Sequence, residues 1–573
     1  MDRTRLNYIL FFVLSFLIIF VYTSFFAPKT PQKQTEQKTV QGERTESVEP
    51  PIIEEEIQGS GQELELQLTP PQGRLITIKT PLYTGQIDTA GGRLVEWKLE
   101  KYREGTDPSS PPINLLQDSP PDFNTNLRLD GLKIPNPIPF KFDGADEIIV
   151  DKEEQEIALY WESPGGVTIR RILEISPSSY LIKQRVEVTN QTESPLTETL
   201  LIEAYGDIKQ DGDNYKNSYY IAMVSGSVER VEKLPQETTL FKGTVNWFGF
   251  ADKYFLSVFL PGIGSETQLS LTNTEEDGFA KTVFSYPSDK IPPGSTSVHK
   301  SNLYLGPMDY EVLRSVGFGL EKSIKYGWVG FLARPMLWFL KELDKVFKNY
   351  GVSIIVITII IRLIFLPLTI KSMASMKEMQ LRMQELKPKI DALKEKYKDD
   401  KTKQNAELMK LYTSHGINPL SSLGGCLPLL VQIPVFIALY DVLLYSIELR
   451  HSSFLWINDL SEPEKLFDIP GIGIPFRILP LAMGASWYVS QKMTPITAAP
   501  GADNMLQMKM MEFMPLIFTV MFWGLPSGLI LYWTVSNILS ILQQLYVNRR
   551  FVAAAKGGIK DADSDRKGRK NSV

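Results

Sequence analysis

Thr358, Arg362 and Thr369 stand four and seven residues apart inside the otherwise apolar run GVSIIVITIIIRLIFLPLTI, residues 351–370. That spacing places all three on one face of a helix. A guanidinium halfway along a membrane-spanning helix costs roughly 3 kcal/mol on insertion scales, and on the order of 10 in simulations of a lone helix. A cation held at that depth faces a wet cavity or a partner, and there it can attract anionic or strongly polar groups. A second stripe, Trp533, Asn537, Ser540 and Gln544, repeats at steps of four, three and four. Gln432 adds an amide on a third apolar segment. Turned toward one another, the three helices would line an aqueous groove. The plainer alternative is that Asn, Ser and Gln join neighbouring helices by hydrogen bonds.

The elements that carry these residues read as membrane spans, since about 20 helical residues cross the roughly 30 Å bilayer core. Six are expected: Asn7–Ala27, Gly351–Ile370, Cys426–Ser446, Ile474–Met493, Met511–Leu525 and Pro526–Val547. The first follows Arg3 and Arg5. A cleaved signal is the alternative there, but the run is longer than a usual signal core and no small-x-small site follows it. Residues 1–27 therefore read as an uncleaved anchor. Spans four and five are polar or short, which suits a thinned bilayer. Residues 371–418 hold 11 Lys/Arg and 547–573 hold 8, whereas 447–473 holds only Arg450 and Lys465. By charge asymmetry the first two are cytoplasmic and the third is outside. Threaded backwards, the long polar stretch before the second span is outside and the N-terminus inside.

Residues 28–68, rich in Pro, Gln, Glu and Thr, cannot bury a core and read as a disordered linker. Residues 69–320 turn to a period of two. Val95, Trp97 and Leu99 alternate with polar residues, as do Val167 with Ile169 and Val186 with Val188. Turn signals recur at 88–92 and 164–166, so a β-sandwich is expected. A flexible linker transmits no defined motion, so this domain is expected to be separable from the work of the spans. In 331–350, Met336, Leu340, Leu343, Phe347 and Tyr350 make an apolar stripe, with Pro335 in the first turn. An amphipathic helix in the membrane interface is expected; packing on the sandwich is the alternative. In 372–416, Met379, Met383, Leu386, Ile390, Leu393 and Tyr397 form a coiled-coil seam. Pro388 is expected to kink or restart that helix, and Asp399-Asp400 to cap a second one ending at Gly416. A basic tail, 548–573, follows the core 351–547.

Much chemistry is excluded. Cys426 is the only cysteine, and His299, His415 and His451 are far apart in the chain. The sequence carries no P-loop, no dinucleotide fingerprint and no nucleophile motif. No cofactor, no metal, no nucleotide and no enzymatic reaction are expected.

The segments IIVITIIIRLIFLPLT, LKPKIDALKEKYKDD, INPLSSLGGCLPLLVQIPVFIALYDVL, FLWINDLS and FMPLIFTVMFWGLPSGLILYWTVSNILSILQQ, spread over about 330–550, resemble the YidC membrane protein insertases of the Oxa superfamily. The resemblance implies a bacterial inner-membrane protein with a five-helix core plus the N-terminal anchor. It also implies a large periplasmic all-β domain of the supersandwich type, a cytoplasmic helical hairpin, and both termini in the cytoplasm. It implies insertion and chaperoning of nascent membrane proteins, alone or beside the Sec translocon, with the lipid bilayer and the ribosome as further partners. Arg362 matches the family's groove arginine, Thr358 the polar residue one turn before it, and Gln432 the glutamine of the third span. Tyr532 and Trp533 fall where relatives place substrate-facing rings. Two other classes compete. A secondary transporter or channel built on Arg362 should show an inverted repeat, which these spans lack. A membrane-anchored carbohydrate-binding protein would place the function in the sandwich.

Overall fold

The computed structural model describes residues 73–116, 123–130, 134–135, 137–208, 218–262, 266–274, 279–415, 427–470, 473, 475–493 and 505–570. The expected anchor 1–27, the linker 28–68 and Gly416 lie outside these residues. The chain divides into two compact units. Of the described residues the smaller holds 383–415, and the larger takes in 73–382, 427–493 and 505–570.

Two sheets build the β part. The smaller runs Pro112–Asn114, Arg93–Arg103, Tyr83–Asp88, Leu75–Lys79, Glu147–Ile149, and only the last pairing is parallel. The 13-stranded sheet is antiparallel. Its main path runs Asp289–Ile291, Leu196–Asp207, Phe279–Ser285, Glu266–Asn273, Thr239–Ala251, Phe255–Leu260, Thr296–Pro307, Leu181–Asn190, Val167–Ile175, Gln155–Ser163. Alternation holds as expected for Val167, Ile169, Val186 and Val188, all buried. It fails at Val95: the inward residues of that strand are Leu94, Trp97 and Leu99. The pairing register shifts between Gln86 and Ile87, and a bulge of one residue swaps the faces on either side of it. Trp97 lies flat against Tyr83, ring centroids 4.2 Å apart. A Cβ on Gly85 would stand 2.5 Å from the indole, so only glycine admits this stacking. Arg171 is fully buried, and among the described residues no carboxylate pairs with it. It donates to the Gly92 carbonyl at 2.6 Å and twice to Gln184 Oε1, and burial pulls its guanidinium down to about 10.

A short helix, α1 (Tyr310–Val316), capped by Asp309, leads from the sandwich to α2 (Gly330–Phe347). Helix α2 starts earlier than the sequence suggests, so Pro335 stands in its second turn. It also ends earlier. Lys348 adopts φ +50°, and Asn349 caps the next helix by accepting from Val352 N at 3.1 Å, which moves Tyr350 into α3 (Tyr350–Ile364). Helix α2 is apolar on two sides. Ala333, Met336, Leu337 and Leu340 are buried, while Phe331, Trp338 and Val346 are exposed.

The run 351–370 is not one straight helix. Helix α3 stops after Ile364 and α4 (Leu366–Lys396) leaves at 61°. Pro367 has no N–H to return to the Leu363 carbonyl, so the ladder breaks there. Helix α4 then continues through Pro388 without the expected restart. Asp400 caps α5 (Lys401–Ser414), accepting from Lys403 N at 3.0 Å. Within the smaller unit the seam buries Leu386 and Ile390 from α4 and Leu408 and Tyr412 from α5. The Gln404 amide donates to the Lys394 carbonyl at 2.8 Å, so the hairpin is antiparallel.

Four more helices follow: α6 (Leu427–Tyr445), α7 (Ile478–Met493), α8 (Met505–Met521) and α9 (Ser527–Lys570). The pairing of Phe467–Asp468 with Pro475–Phe476 delays the start of α7. Helix α8 begins six residues before the expected Met511 and ends before a turn at Phe522–Leu525. Helix α9 runs far beyond Val547. Among the described residues no single helix is long and apolar enough to cross a membrane alone; α3 and α4 meet that test only as a bent pair.

The sandwich docks on the segment after α6. The turn Asp252–Phe255 is tied by Asp252 Oδ1, which accepts from Tyr254 N and Phe255 N at 2.6 and 2.7 Å. At its tip Lys253 donates to the Ser461 carbonyl at 3.4 Å. Arg450 covers the rings of Tyr254 and Phe255 and donates to the Glu104 carbonyl. Nearby, Lys341 of α2 bridges Asp309 and Glu448 at 3.2 and 2.9 Å. Burial pulls Lys253 down from 10.5 to about 8, although Glu462, Asp459 and Asp252 oppose this and Arg450 adds to it. The undocked lysine thus binds more protons between pH 8 and 10.5, and raising the pH through that window favours the docked state. Going from pH 7 to 9 should lower the opening equilibrium of 459–464 about tenfold, read by hydrogen exchange corrected for intrinsic rates. Lys253→Met should abolish the effect, and looser docking at pH 9 would contradict it.

Candidate functional site

Arg362 lies near the C-terminal end of α3, half-buried, and reaches across to α9. Its Nε donates to Ser536 Oγ at 3.0 Å, and Nη2 donates to the same hydroxyl. Among the described residues no carboxylate pairs with it. One turn earlier on α9, the buried Tyr532 hydroxyl accepts from Gln432 Nε2 of α6 at 2.8 Å. Tyr532 and Ser536 are four apart and share a face. Helix α9 therefore stands between α3 and α6, and the four side chains form one polar layer. Thr358 is fully buried one turn before Arg362, and its hydroxyl returns to the Ile354 carbonyl of its own helix. Thr369, beyond the bend, likewise returns to the Phe365 carbonyl.

The stripe Trp533, Asn537, Ser540 and Gln544 does not face Arg362 as a set. Trp533 belongs to an aromatic cluster. Its ring lies 4.9 Å from Phe436 of α6, 4.8 Å from Phe522 and 5.9 Å from Trp487 of α7. Asn537 is buried against α7, donating to Ser486 Oγ at 3.3 Å. This is the polar join between helices that the plainer reading described. Ser540 donates to the Ser536 carbonyl at 3.0 Å, and Gln544 is buried. Helices α7 and α8 approach closely at Gly484, where a Cβ would stand 2.0 Å from Thr519 Oγ1.

Ser536, the residue on Arg362, was not singled out from the sequence. Successive residues turn by about 100°, so the stripe that includes Trp533 and Asn537 selects the neighbouring face. The signal was available as Tyr532, Ser536 and Ser540 at steps of four. Beside this layer, exposed apolar residues cover the outer faces: Leu363 and Ile364 on α3, Leu516, Ile517 and Val520 on α8, Ile538 and Leu542 on α9. A polar layer with a cation and no counter-charge among the described residues, set in helices whose outer sides are apolar, can hydrogen-bond a polar or acidic chain segment within a bilayer.

Comparison with known proteins identifies the family. Residues 342–554 match the family described as 60Kd inner membrane protein, and residues 75–339 match the YidC periplasmic domain. A membrane protein insertase YidC of Pelobacter propionicus is 38% identical over 551 residues, covering 94% of this chain and 98% of the relative. One of Syntrophus aciditrophicus is 36% identical, covering 96% of this chain and 100% of the relative. A crystal structure of an active YidC insertase with its first transmembrane segment resolved aligns with 82% of this chain and 94% of its own, at 20% identity and a TM-score of 0.33. With both halves matched in order, and nearly the whole length of such relatives covered, the chain belongs to the YidC family of membrane protein insertases.

Proposed function

We propose that Arg362, Ser536, Gln432 and Tyr532, with Thr358 behind them, form the wall of the groove along which this inner-membrane insertase takes in a nascent membrane protein. The observation that carries this reading is Arg362 itself, a cation bonded to a hydroxyl in an apolar setting. Trp533 and Asn537 join α9 to its neighbours and keep the wall in place, while Ser540 bonds within α9. As a family member the protein is not an enzyme: it forms and breaks no covalent bond. Its groove lowers the barrier for drawing a short polar segment part-way into the bilayer, by supplying hydrogen bonds where lipid has none. A helix of 16 residues, such as α7, spans only about 24 Å, so a thinned bilayer shortens the remaining path. The substrate's own apolar segment, leaving sideways into lipid, supplies the driving force.

The topology that fits has α3 with the first turns of α4, then α6, α7, α8 and the first half of α9 as a five-span core, plus residues 1–27 as a sixth span. The β domain, 69–320, is periplasmic and of the supersandwich type. Helix α2 lies in the outer interface with Phe331, Trp338 and Val346 toward lipid. The hairpin 372–416, the tail 548–573 and both termini are cytoplasmic, as the Lys/Arg distribution requires. The basic hairpin and tail suit a ribosome, and the periplasmic domain suits the Sec translocon.

Photo-crosslinkers placed at 362, 432, 532 and 536 should capture a ribosome-held nascent chain, whereas those at 516 and 520 should capture lipid. Capture confined to 516 and 520 would contradict the groove.

A further inference from the structure

We propose that the segment Asp459–Glu464 is a latch that sets the height and rotation of α7 and α9, and that Lys253 of the β domain holds it from the periplasmic side. The inference rests on the groove reading above and adds positioning residues to it. The first N–H groups of a helix have no partner within it. In α9 the first two of those donors are taken by this segment. The Glu462 carbonyl accepts from Ser527 N at 2.8 Å and from Ser527 Oγ at 2.7 Å, and the Leu460 carbonyl accepts from Gly528 N at 2.8 Å. The same segment caps α7. Glu464 is buried, its Oε2 accepts from Leu479 N at 2.6 Å, and its Oε1 accepts from the Trp456 indole. A carboxylate at a helix N-terminus also meets the positive end of the helix dipole. Ser461, between these two caps, is the residue whose carbonyl receives Lys253. Three elements distant in sequence thus converge on six residues.

The consequence for the groove is geometric. Tyr532 and Ser536 follow Gly528 by four and eight residues, about 6 and 12 Å along a stiff helix. A shift at the Leu460–Gly528 contact moves Tyr532 against Gln432 and Ser536 against Arg362. Helix α7 shares the latch and is joined to α9 through Ser486 and Asn537, so the two helices move as one body. The contacts of Lys253, Glu462 and Glu464 given above lie in the latch and at the helix starts, so these residues act through α7 and α9.

The test uses the full-length protein in lipid nanodiscs for hydrogen exchange and in vesicles for insertion. Glu464→Ala should raise exchange in 477–482 about tenfold and lower insertion several-fold. Lys253→Glu, which sets a carboxylate beside Glu462 and Asp459, should raise exchange in both 459–464 and 527–531 about threefold and lower insertion to a smaller extent. If Glu464→Ala fails to accumulate, Glu464→Gln, which keeps the volume and loses one acceptor, takes its place. Exchange unchanged in 477–482 and 527–531, or raised exchange with full insertion, overturns the latch. Arg362→Ala, measured in parallel, separates the two readings. With a substrate whose translocated tail is acidic, normal insertion by Arg362→Ala together with a defect in Glu464→Ala refutes the groove and supports the latch. A defect in Arg362→Ala with none in Glu464→Ala does the reverse.

Discussion

Arg362→Ala is expected to slow the insertion of substrates with acidic translocated segments about tenfold to a hundredfold, and to leave substrates with uncharged segments within a few-fold of normal. A hydrogen bond to a charged group is worth about 1.5–3 kcal/mol, and each 1.36 kcal/mol is a factor of ten in rate. The guanidinium spends its hydrogen bonds on the Ser536 hydroxyl, a neutral partner that an incoming carboxylate can displace. Arg362→Lys should keep most of the activity, because the charge remains while the planar fork is lost. Ser536→Ala should have a smaller effect, since it frees the cation without removing it. The measurement is insertion into vesicles of two substrates that differ only in the charge of the translocated tail, with the amount of folded insertase held equal. An equal loss for both tails would show that Arg362 serves packing, and the electrostatic role would fall.

That Arg362 would meet polar partners was legible because a single arginine in 20 apolar residues has few physical explanations. The details around it depended on signals of different reach. The bend after Ile364 was written locally in Pro367, yet the apolar run hid it, because hydropathy does not register a missing N–H. Asn349 and Lys348 marked the break between α2 and α3 by cap chemistry, and the apolar stripe, which ran on to Tyr350, concealed it. In the sandwich, alternation located the strands, but a bulge opposite Gln86 and Ile87 exchanged Leu94 for Val95, and nothing in the local pattern announces a bulge. The latch had no local signal. Lys253 meets Ser461 across 208 residues and Ser527 meets Glu462 across 65, and such pairings follow only from the assembled fold.

That assembly also alters one expectation. A β domain joined to an anchor by a flexible linker reads as separable, because a linker transmits nothing. Its other end is a different connection. Asp309 at the end of the sandwich, Lys341 of α2 and Glu448 after α6 form one ionic group, and Lys253 and Arg450 add a second contact. Removing one member of such a partly buried group leaves charges without partners, which is costlier than removing an exposed pair. The side of the domain facing the spans is therefore the part to keep in any truncation.

Replacing 383–415 by a short flexible linker should leave the rest of the protein folded and abolish insertion. The smaller unit holds together through its own residues: Leu386, Ile390, Leu408 and Tyr412 are buried, and Gln404 ties α5 to α4. What its removal takes away is a surface with a modest charge excess, since 383–415 carries 8 Lys/Arg against 6 Asp/Glu. A basic element can gather an emerging chain, or the nucleic acid of a ribosome, and raise its local concentration. Growth of an insertase-depleted strain on the deletion variant measures the outcome, with the melting temperature of the purified variant as the control for folding. Full complementation would refute the role. A partial reversal, with Lys389, Lys394, Lys396 and Lys403 changed to Glu, sharpens the test. If charge does the gathering, this variant should match the deletion for ribosome-bound substrates. If the apolar seam does it, the variant should insert normally, because the buried seam residues Leu386, Ile390, Leu408 and Tyr412 are unchanged.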